Sequence, residues 1–318
     1  MKAIVGLPSR RTPPKRPLRT RLYNDRYLYL ILLPGTLFLL TFHYGPMYGI
    51  LMAFKDFNLR KGILYSPWAD QNGMEYFVRL FTNPRFFEVV RNTLVISFGN
   101  ILLGFWVPIV LAILINEMRD GRYKRYVQTC MYLPHFVSWV IVYGMIYALL
   151  SVDGGLVNNV IAALGGDPIN FLTNKSGFLP LVYLSGIWKG AGWSTIIYLA
   201  ALGNINPELY EAAKLDGAGR LQRILHVSLP CMLSTIIVML ILNAGNVMNA
   251  GFDQIFNLGN DAVNEIGEII DTYVYKLSMM KSDYSLATVG GLYKGGINCV
   301  VLILVNRLSV KLTGDSIY

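Results

Sequence analysis

The sequence predicts an all-α, polytopic membrane protein of about six transmembrane helices, on three observations. Of its 318 residues, 54% are hydrophobic and 15% charged, where soluble domains carry about 25% charged residues; the mean hydropathy is +0.44. Six apolar stretches, roughly 28–50, 92–115, 128–150, 178–201, 231–252 and 286–308, exceed the about 20 residues that a bilayer crossing needs. The basic residues gather in some of the intervening segments instead of spreading along the chain, which is how membrane topology sorts charge.

Residues 1–26 hold eight Lys/Arg against Asp25, with Pro8, Pro13, Pro14 and Pro17 among them. They predict a basic cytoplasmic N-terminal tail lying on the anionic inner leaflet. No cleavable signal is expected, because the first apolar run is longer than a signal core and no small-x-small site follows it. That first span is interrupted by Pro34 and Gly45-Pro46, and Tyr27, Tyr29, Tyr44 and Tyr48 sit near its ends, as interfacial aromatics do. The segment that follows is expected outside, with Tyr76–Phe81 forming an interfacial amphipathic helix.

Asn92-Thr93-Leu94 opens the second span and Tyr132-Leu133-Pro134 the third, with Arg119, Arg122, Lys124 and Arg125 between them. Residues 151–177 are rich in Gly, Asp and Pro and predict an external loop with one short helix at best. Gly186-xxx-Gly190 in the fourth span and Gly291-xxx-Gly295 in the sixth predict close helix packing. Residues 253–285 carry six acids against Lys276 and Lys281 and read as a second external loop. The positive-inside rule then places both termini, including the 309–318 tail, and the 202–230 loop in the cytoplasm. Six Lys/Arg in 52–91 count against that orientation, but longer loops translocate regardless of charge. The net charge of +9 is thus a topology signal and not a nucleic-acid footprint.

The most informative stretch is 208–230, between the fourth and fifth spans. Glu211-Ala212-Ala213-Lys214-Leu215 are good or neutral helix formers. Asp216-Gly217 reads as a helix end, and Pro230 suits the first turn of the next helix. A short, well-formed polar helix between two spans predicts a docking knob.

Glu211 to Pro230 resembles the EAA loop of ATP-binding cassette importer permeases in order and spacing, with Val227 where the family has Ile. Phe54-Lys55-Asp56-Phe57, Asn92-Thr93-Leu94 and Tyr132-Leu133-Pro134 extend the resemblance to the carbohydrate permeases, in particular the branch handling oligosaccharides and polysaccharide fragments such as alginate. The resemblance implies a type I ABC importer permease fold with a cytoplasmic coupling helix, in a bacterial plasma (inner) membrane. It also implies a second homologous permease subunit, two ATPase subunits and an extracytoplasmic solute-binding protein as partners. Glu211, Ala212, Ala213 and Gly217 match the family's motif, and the resemblance implies that they engage the ATPase, with Asp216 as a cap or a further contact. The maltose permease has extra spans and a large external domain, for which the external loops here are too short.

The chain itself offers no chemistry for energy conversion. It has no P-loop, His-Glu-x-x-His, Cys-x-x-Cys or Gly-x-Ser-x-Gly, and His43, His135 and His226 are scattered. No catalytic residue, metal or cofactor is expected on it, ATP and magnesium belonging to the partner ATPases. Cys130, Cys231 and Cys299 read as buried apolar residues. An ion-driven secondary transporter should carry intramembrane acids, and the six stretches contain none. A membrane-bound enzyme lacks its nucleophile or metal set, while an ABC permease for a non-sugar solute stays open.

Polar residues inside a bilayer are candidate pathway residues. Asn243, Asn246 and Asn249 recur every third residue in the fifth span; Trp188, Trp193 and Tyr198 lie in the fourth and Tyr147 ends the third. Lys189 and Lys294 each cost about 2.5–3.5 kcal/mol at a bilayer centre and are expected to face a wet cavity, a partner acid or an anionic sugar.

Overall fold

The computed structural model describes residues 25–313, with side chains through Arg307; most of both expected tails lies outside the described residues. Among these the chain is helical, with one isolated bridge between Lys55 and Trp68 and no strand. It divides into two units, 1–51 and 52–318.

In the first unit, α1 (Arg26–Leu39) continues as a widened π turn, Leu40–Tyr44, and then as a 3₁₀ helix from Gly45. Pro34 and Pro46 fall inside this run. Each removes a backbone donor and crowds the carbonyl four residues earlier.

In the second unit, after two single-turn helices at Gly62–Tyr65 and Asp70–Gly73, come α2 (Glu75–Phe81) and α3 (Pro84–Gly104). The Asn83 side chain accepts from the Arg85 amide at 3.0 Å, and Pro84 occupies the first helical position. This cap starts the helix eight residues before the expected 92. The polar first turns stay in the fold because Arg85 is paired with Glu88 and Glu268. Just before Pro108 the helix is interrupted at Phe105, after which α4 (Trp106–Asn116) continues.

Where a single span from 128 to 150 is expected, the chain bends by 102°. The helix α5 (Arg122–Tyr132) runs into a 3₁₀ turn at Leu133–Phe136 containing Pro134. Val137 and Ser138 are extended, and Ser138 caps α6 (Trp139–Leu150). Pro134 is compatible with a tight turn but not with an unbroken helix, so it ends one helix and Ser138 starts another.

After α7 (Leu156–Ala163), the 29-residue α8 (Lys175–Gly203) packs against both α3 and α4. The knob helix α9 (Pro207–Leu215) follows. A helix from Arg220 then passes through a π turn at Ile224–Ser228 into α10 (Leu229–Gly245). It ends at Gly245, seven residues short of expectation, because 246–251 turn and Gly251 takes φ +92°.

The segment expected as an external acidic loop, 253–285, is largely folded inward. It forms α11 (Phe252–Leu258), a turn at Asn264–Gly267 and α12 (Ile270–Tyr275), then a π turn before α13 (Tyr284–Thr313). Ile255, Leu258, Val263, Ile269 and Ile270 are buried. The acids enter with partners: Glu268 receives Arg85 and Lys276, both at 2.8 Å, and Asp271 receives Lys294 at 2.5 Å.

Among the described residues four helices are long and apolar enough to cross a membrane, or five if the bent pair is one span. The expected six is therefore not reached by that measure. Lys175–Gly203 has the length, but Gly, Trp and Lys189 dilute its apolar character; eight of its residues are buried against other helices. Three hydrophobic clusters hold the second unit together, around Phe86 and Tyr273, around Phe178 and Ile269, and around Ile109, Tyr198 and Met232. Full burial of a side chain such as Phe86 contributes about 1.5–3 kcal/mol.

The closest glycine contacts are not at the Gly-xxx-Gly pairs. A Cβ at Gly190, Gly291 or Gly295 would meet nothing within 4 Å, whereas at Gly99 it would lie 2.3 Å from the Tyr183 ring and at Gly192 1.9 Å from the Met131 carbonyl. All three cysteines are exposed on the protein surface, not buried.

Candidate functional site

The knob is built as a free-standing helix. Asn206 accepts from the Glu208 amide at 3.1 Å and Pro207 opens the first turn. At the other end Gly217 takes φ +82°. The Gly217 amide donates to the Lys214 carbonyl at 3.1 Å and the Ala218 amide to the Ala213 carbonyl at 2.9 Å. This pair of bonds is a complete Schellman cap, which needs a left-handed residue at that position. Tyr210 turns toward the body of the protein, where its hydroxyl and that of Ser228 are 2.9 Å apart. Glu211, Ala212, Lys214, Leu215, Asp216 and Gly217 are exposed and Ala213 half-buried.

Leu215 is 90% exposed, and Leu221 and Leu225 beside it are also exposed. Arg223, in the same loop, has a buried Nε with no hydrogen-bond partner.

The second feature is a cavity of about 340 Å³ between α3, α4, α8, α10 and α11, with Trp139 of α6 at its wall. Asn243, Asn246 and Asn249 all line it, although only Asn243 is inside a helix. Asn243 donates its amide to the Met239 carbonyl at 2.7 Å, and Asn246 donates to the Leu242 carbonyl at 3.0 Å. Asn249 donates to Asn246 Oδ1 at 2.9 Å. The loop thus closes the stripe back on itself.

The cavity is also lined by residues that the sequence reading missed: Ser97, Asn100, Ser194 and Gln254. Gln254 donates to the Val182 carbonyl at 2.6 Å and to Ser185 at 3.1 Å. Ser97 and Asn100 are polar residues one turn apart in an expected span, and the logic that selected the asparagines of α10 would have found them. Gln254 could not be found that way, because its segment was assigned to an external loop. Tyr198, 2% exposed, also lines the cavity.

The other expected pathway residues lie elsewhere. Trp193 stacks on His135 with centroids 4.5 Å apart, Trp188 is half-exposed, and Tyr147 is exposed beside Tyr143. Lys189 Nζ donates to the His135 carbonyl at 2.7 Å and lies 5.7 Å from the Trp139 ring centroid. It thereby satisfies a carbonyl freed at the Pro134 turn. Lys294 is matched by this chain's own Asp271. None of Trp188, Lys189, Trp193, Tyr147 and Lys294 lines the cavity.

Residues 93–314 match the family model described as the binding-protein-dependent transport system inner membrane component. Among curated proteins, the chain is 46% identical over 304 residues to the polygalacturonan/rhamnogalacturonan transport system permease protein YteP of Bacillus subtilis, covering 96% of this chain and 94% of that protein. It is 26% identical to the arabinooligosaccharides transport system permease protein AraP of the same organism, covering 73% of each. Among solved structures, it superposes with a TM-score of 0.85 and 39% identity on a chain of a bacterial ABC transporter involved in the import of the acidic polysaccharide alginate, covering 93% of this chain and 99% of that one.

Proposed function

Because the chain belongs to the binding-protein-dependent transport system inner membrane component family, we propose that it is a permease subunit of an ATP-binding cassette importer and forms half of a passage for a carbohydrate. The cargo is an oligosaccharide or a polysaccharide fragment, the class to which the relatives' names point. The chain works beside a second, similar permease in a bacterial plasma membrane, with both termini cytoplasmic. Two ATPase subunits carry ATP and magnesium, and an external solute-binding protein delivers the cargo; in support of the last, the similar alginate transporter was solved in complex with an alginate pentasaccharide-bound periplasmic protein.

The observation that carries this reading is α9. Its ends are capped, its outer face is exposed around Glu211, Ala212 and Leu215, and it is tied to the base of α10 through Tyr210 and Ser228. A cleft on an ATPase can grip such a helix: the small side chain at Ala212 permits close approach, and Glu211 and Asp216 offer charge. Loss of one member of a buried interfacial charge pair costs about 2–5 kcal/mol, enough to separate hydrolysis from transport.

The test is the purified assembly in liposomes, with loaded binding protein and a panel of neutral and uronate oligosaccharides. Sugar-stimulated ATP hydrolysis and uptake are expected, and a cysteine at Ala212 should crosslink to the ATPase. Accumulation driven by an ion gradient with this chain alone would overturn the reading in favour of a secondary transporter. Stimulation by a non-sugar solute only would leave the ABC assignment and overturn the cargo.

A further inference from the structure

The chain between the first candidate span and α2 is folded more tightly than a connection requires. That span, Arg26–Phe54, ends at Phe54, and the backbone returns to the same residue at Ala69, whose amide donates to the Phe54 carbonyl at 3.1 Å. The Asp56 amide donates to the Pro67 carbonyl at 3.0 Å, beside the Lys55–Trp68 bridge. The segment is therefore an Ω-loop closed at its neck. Ser285 of α13 clamps that neck, donating to the Lys55 carbonyl at 2.7 Å and accepting from the Phe57 amide at 3.1 Å.

The interior of the loop is equally determined. The buried Ser66 hydroxyl accepts from the Asn58 amide at 3.0 Å and donates to the Gly62 carbonyl at 2.7 Å. Lys55 is 7% exposed; its Nζ donates to the carbonyls of Ile63 and Leu64, both at 2.9 Å, and lies 5.3 Å from the Trp68 ring centroid. A cation thus closes the end of the Gly62–Tyr65 turn, as basic side chains do at helix C-termini, and fixes the loop from within.

What this scaffold holds outward is apolar and basic. Leu59, Leu64, Tyr65 and Trp68 are 65–82% exposed, and Arg60 and Lys61 are exposed among them. None of the six belongs to the three hydrophobic clusters. Two facts identify what covers them. Both ends of the loop meet at Phe54, where the apolar run ends, so the tip stays close to the membrane boundary. From Phe57 to Ala69 the chain carries two cations and no acid, together with Tyr and Trp, the residue types that settle among lipid headgroups.

We propose that residues 59–68 are a membrane anchor that binds an anionic phospholipid headgroup, with Arg60 and Lys61 on the phosphate, Tyr65 and Trp68 at headgroup level and Leu59 and Leu64 at the acyl boundary. Guanidinium and ammonium groups both bind phosphate oxygens, Arg in a two-pronged fashion. Each basic residue near an anionic membrane surface is worth about fivefold in association. The buried Lys55 is a positioning residue that holds the Ile63–Leu64 backbone and the Trp68 ring in place. The inference needs only that the chain is embedded in a membrane, and not the identity of its cargo.

The test uses the purified permease–ATPase assembly carrying Tyr65→Cys labelled with bimane, with Cys130, Cys231 and Cys299 replaced by Ser. It is placed in nanodiscs holding a matched minor fraction of phosphatidylglycerol or phosphatidylcholine, brominated high on the acyl chain. Both lipids should quench the label, the phosphatidylglycerol with at least about fivefold higher local enrichment, and aqueous iodide should quench it little. Neither the Arg60 nor the Lys61 side chain makes a hydrogen bond or ion pair among the described residues. Arg60→Gln with Lys61→Gln should therefore abolish the enrichment and leave the melting temperature in detergent unchanged.

Iodide quenching without lipid quenching would put the tip in water, and protection from both would put it against another subunit. Protection from iodide that arises only when binding protein is added would make the loop a protein dock. Each of these overturns the proposal, as does equal enrichment of the two lipids or a preference that survives in the double variant. Sugar-stimulated ATP hydrolysis on the same discs reports the transport reading separately, and its absence would leave the anchor standing.

Discussion

Substituting Gly217 isolates the backbone contribution of the cap that ends α9. The residue sits at φ +82°, and a Cβ added there would meet nothing within 4 Å. Sterics with neighbours therefore drop out, and what remains is the intrinsic penalty of the left-handed region, about 1–2 kcal/mol for an ordinary L-residue. Gly217→Val should incur that penalty in full, with β-branching adding to it. Gly217→Asn should incur much less, because Asn tolerates this conformation. A shift of about 1.4 kcal/mol changes a two-state population tenfold.

The amides of Gly217 and Ala218, bonded to the carbonyls of Lys214 and Ala213, should thus exchange with deuterium about tenfold faster in the Val variant and nearly normally in the Asn variant. Sugar-stimulated ATP hydrolysis in the assembled importer should follow the same order, while the melting temperature of the chain stays put, since the cap lies outside the three hydrophobic clusters. If Asn damages exchange and hydrolysis as much as Val does, the conformational argument is wrong and the glycine is needed for close approach of a partner.

Three further outcomes follow from other contacts. Glu268→Gln leaves Arg85 and Lys276 facing each other beside a 7% exposed position. Breaking a buried pair costs about 3–5 kcal/mol, which the one-third exposure of the two cations reduces to about 2–4; a loss under 1 kcal/mol by denaturation in detergent would show the network to be dispensable. Gly192→Ala drives a Cβ into the Met131 carbonyl, whereas Gly190→Ala meets open space. The first should destabilise by about 1–3 kcal/mol and the second should be neutral or gain up to about 1 kcal/mol of helix propensity, so equal melting temperatures would refute the α5–α8 contact. Tyr76 donates to Asp56 at 2.9 Å, and its burial, with that carboxylate's help, pushes the phenol from 10.0 up to about 12. Its contribution is whole below the unfolded value and is lost as pH rises through about 12, so stability should fall more steeply above pH 10 in the wild type than in Tyr76→Phe.

The knob was legible because its signals are local: a cap residue, a run of helix formers, a glycine that must be left-handed and a proline that must follow. The asparagine stripe was half legible. Its three-residue spacing implied one helix face, and the residues do share one cavity wall, but the helix stops at Gly245 and the last two reach that wall through a turn. The 253–285 segment was read as a loop from its acids, and its helical, partly buried form was not legible, because the partners of Glu268 and Asp271 come from about 20 to more than 180 residues away in sequence, except Lys276. Pairing at that range leaves no periodic trace. The bend at Pro134 was visible as a proline, but its size depends on Ser138 restarting a helix and on Lys189 capturing the His135 carbonyl. The two lysines stand out in the sequence by their charge, whereas their partners, the His135 carbonyl and Asp271, leave no local signal.

The hydroxyl link between Tyr210 and Ser228 fixes α9 to the foot of a helix whose other end carries Asn243. Between those points the rod is about 22 Å long at about 1.5 Å per residue. Tilting it by about 5° from below would shift the asparagine by about 2 Å, enough to break one hydrogen bond and form another. The geometry acts as a lever: a small nudge at α9 becomes a bond-length change at Asn243.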